Sequence, residues 1–177
     1  MSAFVGGLLH PLAVPAHAMA LLALGMLIGQ QSLARSPAPP LVAFAAGLAS
    51  GLAAIASAVA QTSAGDLLLA GAVLCGLLVA IAYLLPVLVC VLLAVGVGAA
   101  LGLDSPPAVI SMAAATTMLI GTGLGAMLTL IIVALCARRL ARLPQIVPRT
   151  GMRIVGSWVA ASALLVLALR LARGQLF

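Results

Sequence analysis

The chain has 177 residues, of which 66% are hydrophobic and 6% are charged, and its formal net charge is +6. Soluble domains carry about 25% charged residues, so this composition excludes an ordinary soluble protein. So few charged residues also exclude a nucleic-acid-binding surface, a carboxylate cage for calcium and a disordered charged tail. We therefore predict an integral membrane protein whose surroundings are the lipid bilayer and which has no nucleic-acid partner.

Charges, prolines and polar clusters divide the sequence into six apolar segments. A membrane-spanning helix needs about 20 apolar residues, and the uncharged stretch 67–103 is long enough for two such helices, separated by a tight turn at 83–86. The segments are apolar on all sides, which favours helices over alternating strands. We predict an all-α polytopic bundle with short loops, forming a single transmembrane domain over residues 1–177, with spans at 4–30, 41–60, 67–83, 86–103, 108–137 and 152–171.

The arginines predict the orientation in the membrane. With six spans, Asp66 and Asp104 share one side with Arg170 and Arg173. The positive-inside rule places the opposite, arginine-rich connections in the cytoplasm and both termini on the periplasmic side. The arginines of those connections are Arg35, Arg138, Arg139, Arg142, Arg149 and Arg153.

Glycines at four-residue spacing predict tight helix packing in this bundle, because they let helix backbones approach closely. These pairs are Gly25/Gly29, Gly47/Gly51, Gly98/Gly102 and Gly121/Gly125. The fifth segment, at about 45 Å, is longer than a hydrocarbon core of about 30 Å. It must tilt, project from the membrane, or break at its glycines 121–125. A break would line a binding path, whereas tilt with projection is the simpler explanation.

The first segment contains both histidines of the chain, His10 and His17, together with Pro11 and Pro15. In an unbroken helix both rings would lie on one face with Cα atoms about 10.5 Å apart, although the prolines can kink the helix. Ionisable residues inside a span indicate function, and imidazoles suit nickel, copper or zinc. In the alternative, which the spacing alone favours, His10 lies at the outer interface and His17 bonds a backbone carbonyl.

The residues around these histidines resemble a known family. Gly7-Leu8-Leu9-His10-Pro11-Leu12, followed by His17 and Met19, is similar to the HPxxGxDH opening of the hydrogenase/urease accessory family (HupE/UreJ). Six short-looped spans and an arginine cluster before the last helix also agree with that family. Its members are regarded as nickel or cobalt permeases that serve metalloenzyme assembly. The resemblance implies a permease of the bacterial inner membrane that transports Ni²⁺ or Co²⁺ and holds no tightly bound cofactor.

The chain departs from this family at several expected ligands. The acid beside the second histidine falls on Ala16, and a histidine expected in the fifth span falls near Ile120. In the family's HGxAHGxE pattern, both histidines fall on apolar residues, Val97 and Leu101, whereas the acid falls on Asp104. The resemblance therefore implies a reduced metal site made of His10, His17 and Asp104.

Two other interpretations follow from the same residues. The apolar replacements suit a transport-inactive family member that serves as an accessory or structural subunit, or as an assembly factor, in a larger inner-membrane complex or homo-oligomer. Thioether ligands for Cu(I) are a further alternative, offered by Met19, Met26, Met112, Met118 and Met127. No nucleophilic triad, phosphate loop or carboxylate pair is present in the sequence, so we do not expect an enzyme.

Overall fold

The chain is almost entirely helical in its computed structural model, which describes residues 2–32, 34, 36–56, 64–107, 111–143 and 146–174. Within these ranges there is no strand, and the all-α prediction is confirmed. The described helices are α1 (Ala3–Ala13), α2 (Pro15–Gln31), α3 (Ala38–Ala56), α4 (Gly65–Ile81), α5 (Val87–Leu103), α6 (Met112–Arg142) and α7 (Ile146–Gly174).

Length and hydropathy identify the helices that can cross a membrane. Across the described part of the chain, three segments satisfy both criteria, namely Ala38–Ala56, Met112–Arg142 and Arg149–Ala172. The pair α1 and α2 satisfies them only jointly, because the two helices are bent by 70°. Helices α4 and α5 have 17 residues each, or about 26 Å. The chain is thus a membrane protein, and six spans stay a prediction in which α4 and α5 are the shortest.

Glycine faces bring the helix backbones into contact, which confirms the tight packing that the four-residue spacing predicts. A Cβ added at Gly47 of α3 would overlap the carbonyl oxygen of Val95 in α5. One added at Gly98 of α5 would lie 2.5 Å from the carbonyl oxygen of Phe44 in α3. Gly29 of α2 packs in the same manner against α6. Such close approach lets helices associate by van der Waals contact inside a membrane.

Helix α6 is continuous over 31 residues, or about 46 Å. The glycines at 121–125 therefore do not break it. They pack against α1 instead, since a Cβ at Gly121 would lie 2.5 Å from the Phe4 carbonyl oxygen and one at Gly125 would overlap that of Leu8. The helix also continues past the predicted end at residue 137 as far as Arg142, because arginine favours helices and its charge complements the C-terminal dipole.

The connection between α4 and α5 is the tight turn that the sequence predicts at 83–86. Ala82 ends α4 in the left-handed conformation with φ 56°, and Pro86 precedes α5. The side chain of Gln31, at the end of α2, makes two hydrogen bonds to the backbone of this turn. Its Nε2 donates to the Tyr83 carbonyl oxygen at 2.7 Å, and its Oε1 accepts from the Leu85 N–H at 3.1 Å. The end of α2 is thereby fixed to the start of α5.

The bundle has two ends of different charge, as the alternating layout predicts. His17 at the start of α2 contacts Asp104 after α5, and Arg170 near the end of α7 pairs with Asp66 in α4. We call this the histidine end. At the opposite, arginine end, Arg153 Nε donates to the Ala80 carbonyl oxygen at 2.7 Å. The described arginines at that end are Arg138, Arg139, Arg142, Arg149 and Arg153, whereas Arg35 lies outside the described residues.

Candidate metal site

A break in the first predicted span brings the two histidine rings together. Val14 is extended, with φ −95° and ψ 114°, and Pro15 begins α2. A residue before proline is sterically biased away from the helical conformation, so α1 ends here and α2 leaves at 70°. The rings of His10 and His17 then lie 5.3 Å apart between centroids, with an interplanar angle of 76°. The unbroken helix considered from the sequence is therefore wrong, and the break produces the contact between the rings.

His17 is oriented by a carboxylate from a distant part of the chain. Its Nε2 lies 3.1 Å from Oδ2 of Asp104, at the C-terminal end of α5. The His17 side chain has no exposed surface, whereas that of Asp104 is 18% exposed. An ionised carboxylate only accepts hydrogen bonds, so the contact assigns the Nε2–H donor to His17, and in the neutral form of that ring Nδ1 carries a lone pair. The expected bond from His17 to a backbone carbonyl is replaced by this bond to Asp104.

Two imidazole nitrogens at this site are buried without a hydrogen bond. They are Nε2 of His10 and Nδ1 of His17, neither of which has a partner among the described residues. Buried polar atoms are almost always bonded, so an unpartnered one calls for an explanation such as an ion or a water. Over the described ranges, no three His, Cys, Asp or Glu side chains are grouped as a metal site requires. The structure thus brings together His10, His17 and Asp104 as two neighbouring rings in an edge-to-face arrangement and a carboxylate that bonds one of them.

A second ion pair lies beside this cluster, at the first residue of α4. A Cβ added at Gly65 would lie 2.5 Å from Arg170 Nη1 and 3.4 Å from both carboxylate oxygens of Asp104. Arg170 Nη1 also donates to Oδ1 of Asp66 at 3.5 Å. The pair is exposed and stabilises the fold little, but it places a guanidinium next to Asp104. Sequence reasoning grouped Arg170 with the aspartates on one side and missed its proximity to the histidines.

The apolar residues at the expected ligand positions divide into two groups. Val97 and Leu101 of α5 are buried in the bundle, at 4% and 0% exposure. Leu101 lies about one helical turn before Asp104. The part of α5 that reaches the histidines is therefore its C-terminal end, where Asp104 lies. Ile120 of α6 is 55% exposed and faces outward. In the second half of the chain, the acid of the family's pattern is therefore present as Asp104, whereas buried apolar side chains of α5 stand in place of the two histidines.

Several other polar and sulfur-containing side chains of α2 and α6 are bonded within their own helix, buried in the bundle or exposed. The hydroxyls of Thr116, Thr117 and Thr122 donate to carbonyl oxygens four residues earlier in α6, so they bond within their own helix. Met26 is buried in α2. Met112 is 79% exposed at the start of α6, so it is not a buried ligand.

Comparison of the chain with family models, with curated proteins and with solved structures finds no match. Its chemistry has therefore to be inferred from its own residues. What those residues establish is a helical membrane protein in which a broken first helix brings two histidine rings edge to face, one of them bonded to a carboxylate 87 positions later in the chain.

Proposed function

We propose that this protein binds a divalent transition-metal ion, nickel or cobalt, between His10 and His17, and that it is a permease for that ion in the bacterial inner membrane. The observation that carries the proposal is the geometry of His17, which is buried, is bonded through Nε2 to Asp104 and has its Nδ1 unpartnered among the described residues. Metal-binding histidines usually donate their other ring N–H to a carboxylate or carbonyl group.

The spacing of the two rings supports a shared ion. Imidazole nitrogens bind such ions at about 2.1 Å, which puts the centroids of two rings on one ion about 5 Å apart. The centroids of His10 and His17 are separated by 5.3 Å. Imidazole suits nickel and its neighbours in the first transition row. Water completes the coordination of an ion held by these two rings.

Asp104 takes a different role from the one that the resemblance implies. Its Oδ2 is engaged with His17 Nε2 at 3.1 Å, on the ring edge opposite the free Nδ1. In this proposal Asp104 orients His17 and sets its tautomer, while the ion binds to the ring nitrogens. Its partial exposure of 18% makes it the side chain through which the ion approaches from the histidine end.

The direction of transport follows from the charges at the two ends. Under the positive-inside rule, the arginine end faces the cytoplasm and the histidine end faces the periplasm. An ion that enters at the histidine end meets both carboxylates, Asp66 and Asp104, before it reaches the rings. On leaving, the ion must pass the arginine end, whose positive charge repels a cation. Release therefore requires a movement of the bundle or a partial neutralisation of the positive charge at that end.

Metal titration tests the binding step directly. The purified protein is titrated with Ni²⁺ and Co²⁺ by calorimetry, beside a His10→Ala/His17→Ala double variant and an Asp66→Asn control that removes a carboxylate away from the rings. We expect one ion per chain in the wild type and the control, and none in the double variant. Uptake of ⁶³Ni²⁺ into proteoliposomes then tests transport, which His17→Ala should abolish. Unchanged binding in the double variant, or unchanged uptake in His17→Ala, would contradict the proposal.

A second candidate is a transport-inactive accessory subunit of a larger membrane complex. The buried apolar side chains of Val97 and Leu101 favour it, because a metal path lined at those positions would need polar groups. This candidate predicts no metal binding by the wild type and a native mass, in mildly solubilised membranes, well above that of the isolated chain. If the wild type binds one metal ion per chain and the double variant binds none, the accessory-subunit candidate does not explain why the two histidines are there.

A further inference from the structure

An apolar groove opens towards the arginine end of the bundle. It has a volume of about 430 Å³ and lies between α2, α6 and α7. Met26 is nearly buried at its base, whereas Ile132 and Val155 on its two sides are about half exposed, at 51% and 41%. It extends from Gly151, near the start of α7, to Leu22 in α2. We call it the arginine groove.

Exposed arginines lie close in sequence to the residues that line this end of the groove, Leu140 and Gly151. Arg139 and Arg142 in the last turns of α6, and Arg149 in α7 close to Gly151, are all exposed. Both acidic residues of the chain lie at the histidine end, where Asp66 pairs with Arg170 and Asp104 with His17. An occupant therefore meets an apolar channel along the helices and several positive charges where the channel ends.

Charge decides between the occupants that an apolar membrane groove can take. A second copy of the chain seated here would bring its own arginines against these, without acidic partners, and like charges at short range repel. A neutral lipid would use the apolar channel but not the charges. An anionic phospholipid uses both, because arginine binds phosphate groups well and basic residues at helix ends attract anionic lipids.

We propose that the arginine groove binds one acyl chain of an anionic phospholipid, whose phosphate is held by Arg139, Arg142 and Arg149. The acyl chain lies along Met26 and Leu22 between α6 and α7. The lipid fills the space that the two helices leave open and neutralises part of the charge at the arginine end. This site is separate from the histidines and does not depend on metal binding.

The protein contains its own control for the apolar part of this site. A second groove, of about 440 Å³, lies between α4 and α5 and is also lined mainly by apolar residues, but neither of these two helices contains an arginine. Gly151 lines the arginine groove and Gly96 lines the second groove. A Cβ added at either glycine meets no atom within 4 Å. Gly151→Trp and Gly96→Trp therefore add a large side chain at the lining of each groove, at positions where the new Cβ meets no neighbouring atom.

Native mass spectrometry of the full chain measures lipid retention. The protein in neutral detergent is mixed with dioleoyl-phosphatidylglycerol or dioleoyl-phosphatidylcholine at equal concentration. We expect the wild type and Gly96→Trp to retain phosphatidylglycerol at least about tenfold better than phosphatidylcholine. Gly151→Trp should lose the bound phosphatidylglycerol. The Arg139→Gln/Arg142→Gln/Arg149→Gln variant, which leaves the apolar packing intact, should lose the preference for phosphatidylglycerol.

Cys136 provides a second readout inside the same groove. It is the exposed cysteine of the three, whereas Cys75 and Cys90 are buried. Its rate of modification by N-ethylmaleimide should fall several-fold with phosphatidylglycerol and stay unchanged with phosphatidylcholine. Equal retention of the two lipids by the wild type, or full retention of phosphatidylglycerol by Gly151→Trp, would overturn the proposal. A lipid-free dimer that Gly151→Trp converts to a monomer would also overturn it and assign the groove to a second copy.

Discussion

His17 and Asp104 are 87 residues apart in the chain, and Nε2 of His17 donates to Oδ2 of Asp104 at 3.1 Å. The bond joins the start of α2 to the C-terminal end of α5. It is a contact between a histidine and an acidic side chain. It holds one ring nitrogen of a fully buried histidine and leaves the other without a partner in the described structure.

Removing the charge of Asp104 should weaken metal binding without abolishing it. In Asp104→Asn, the His17 ring loses its charged acceptor and its fixed orientation, while both ring nitrogens that face the ion remain. Loss of such an orienting partner typically lowers metal affinity by about 10- to 100-fold. Calorimetric titration with Ni²⁺ measures it, and Asp66→Asn is the matched control because Asp66 contacts Arg170 and not His17. Complete loss of binding in Asp104→Asn would instead make Asp104 a direct ligand.

Neutralising Arg170 should strengthen metal binding. The guanidinium lies against Gly65 beside both oxygens of Asp104, where its charge repels an approaching divalent cation. In Arg170→Gln we expect a gain in affinity of about three- to tenfold at low salt, shrinking as ionic strength rises. Arg139→Gln, at the opposite end of the bundle, should leave the Ni²⁺ affinity unchanged. An equal gain in both variants would point to net charge and not to the position of Arg170.

The docking of α1 on α6 depends on Gly7, and its neighbour Gly6 is a matched control. A Cβ at Gly7 would overlap the Met118 carbonyl oxygen, whereas one at Gly6 meets no atom within 4 Å. We expect Gly7→Ala to lower the free energy of unfolding by about 1–3 kcal/mol, and Gly6→Ala to leave it unchanged or raise it by up to about 1 kcal/mol. Unfolding in detergent mixtures, followed by circular dichroism, measures both. Since α1 carries His10, Gly7→Ala should also weaken Ni²⁺ binding.

Two adjacent glutamines should differ in their contribution to stability. Gln31 makes two hydrogen bonds to the α4–α5 turn, with Tyr83 and Leu85, so Gln31→Ala leaves a buried N–H unpaired and should cost about 1–3 kcal/mol. The side-chain oxygen of Gln30 is buried and has no partner within the described ranges. Gln30→Ala should therefore change the unfolding free energy by less than about 0.5 kcal/mol. The same unfolding measurement compares the two variants. Equal losses of unfolding free energy would contradict a stabilising role for the two hydrogen bonds of Gln31.

The sequence was a good guide to the elements and a partial guide to the site. Apolar segments bounded by charges and prolines predicted six helices, and every described helix lies in one of these parts of the chain, although the first part holds two helices, α1 and α2. The turn before Pro86 was predicted from a single proline. The resemblance also selected His10, His17 and Asp104, which the fold brings together. The resemblance implies a ligand role for Asp104, whereas we propose that Asp104 orients His17, because a motif names residue types and does not show which atom of a carboxylate meets which ring.

The break at Val14 is the clearest case in which spacing misled. Seven residues of continuous helix would keep the histidines two turns apart, and the energy of breaking a helix at Pro15 depends on what the two halves can pack against. In this fold α1 and α2 both pack on α6, through Gly121 and Gly125 for α1 and through Gly25 and Gly29 for α2. That packing is a property of the assembled bundle.

By itself, the sequence determined that the protein is helical, that it resides in a membrane and that its charges separate to two ends, because hydropathy and charge act along each segment independently of the others. Only the tertiary structure decided that the rings of His10 and His17 lie edge to face, that Asp104 bonds one of them and that Arg170 lies beside Asp104. These contacts join residues from four different helices, and their geometry depends on a 70° bend and on helix contacts through glycine, which no local pattern specifies.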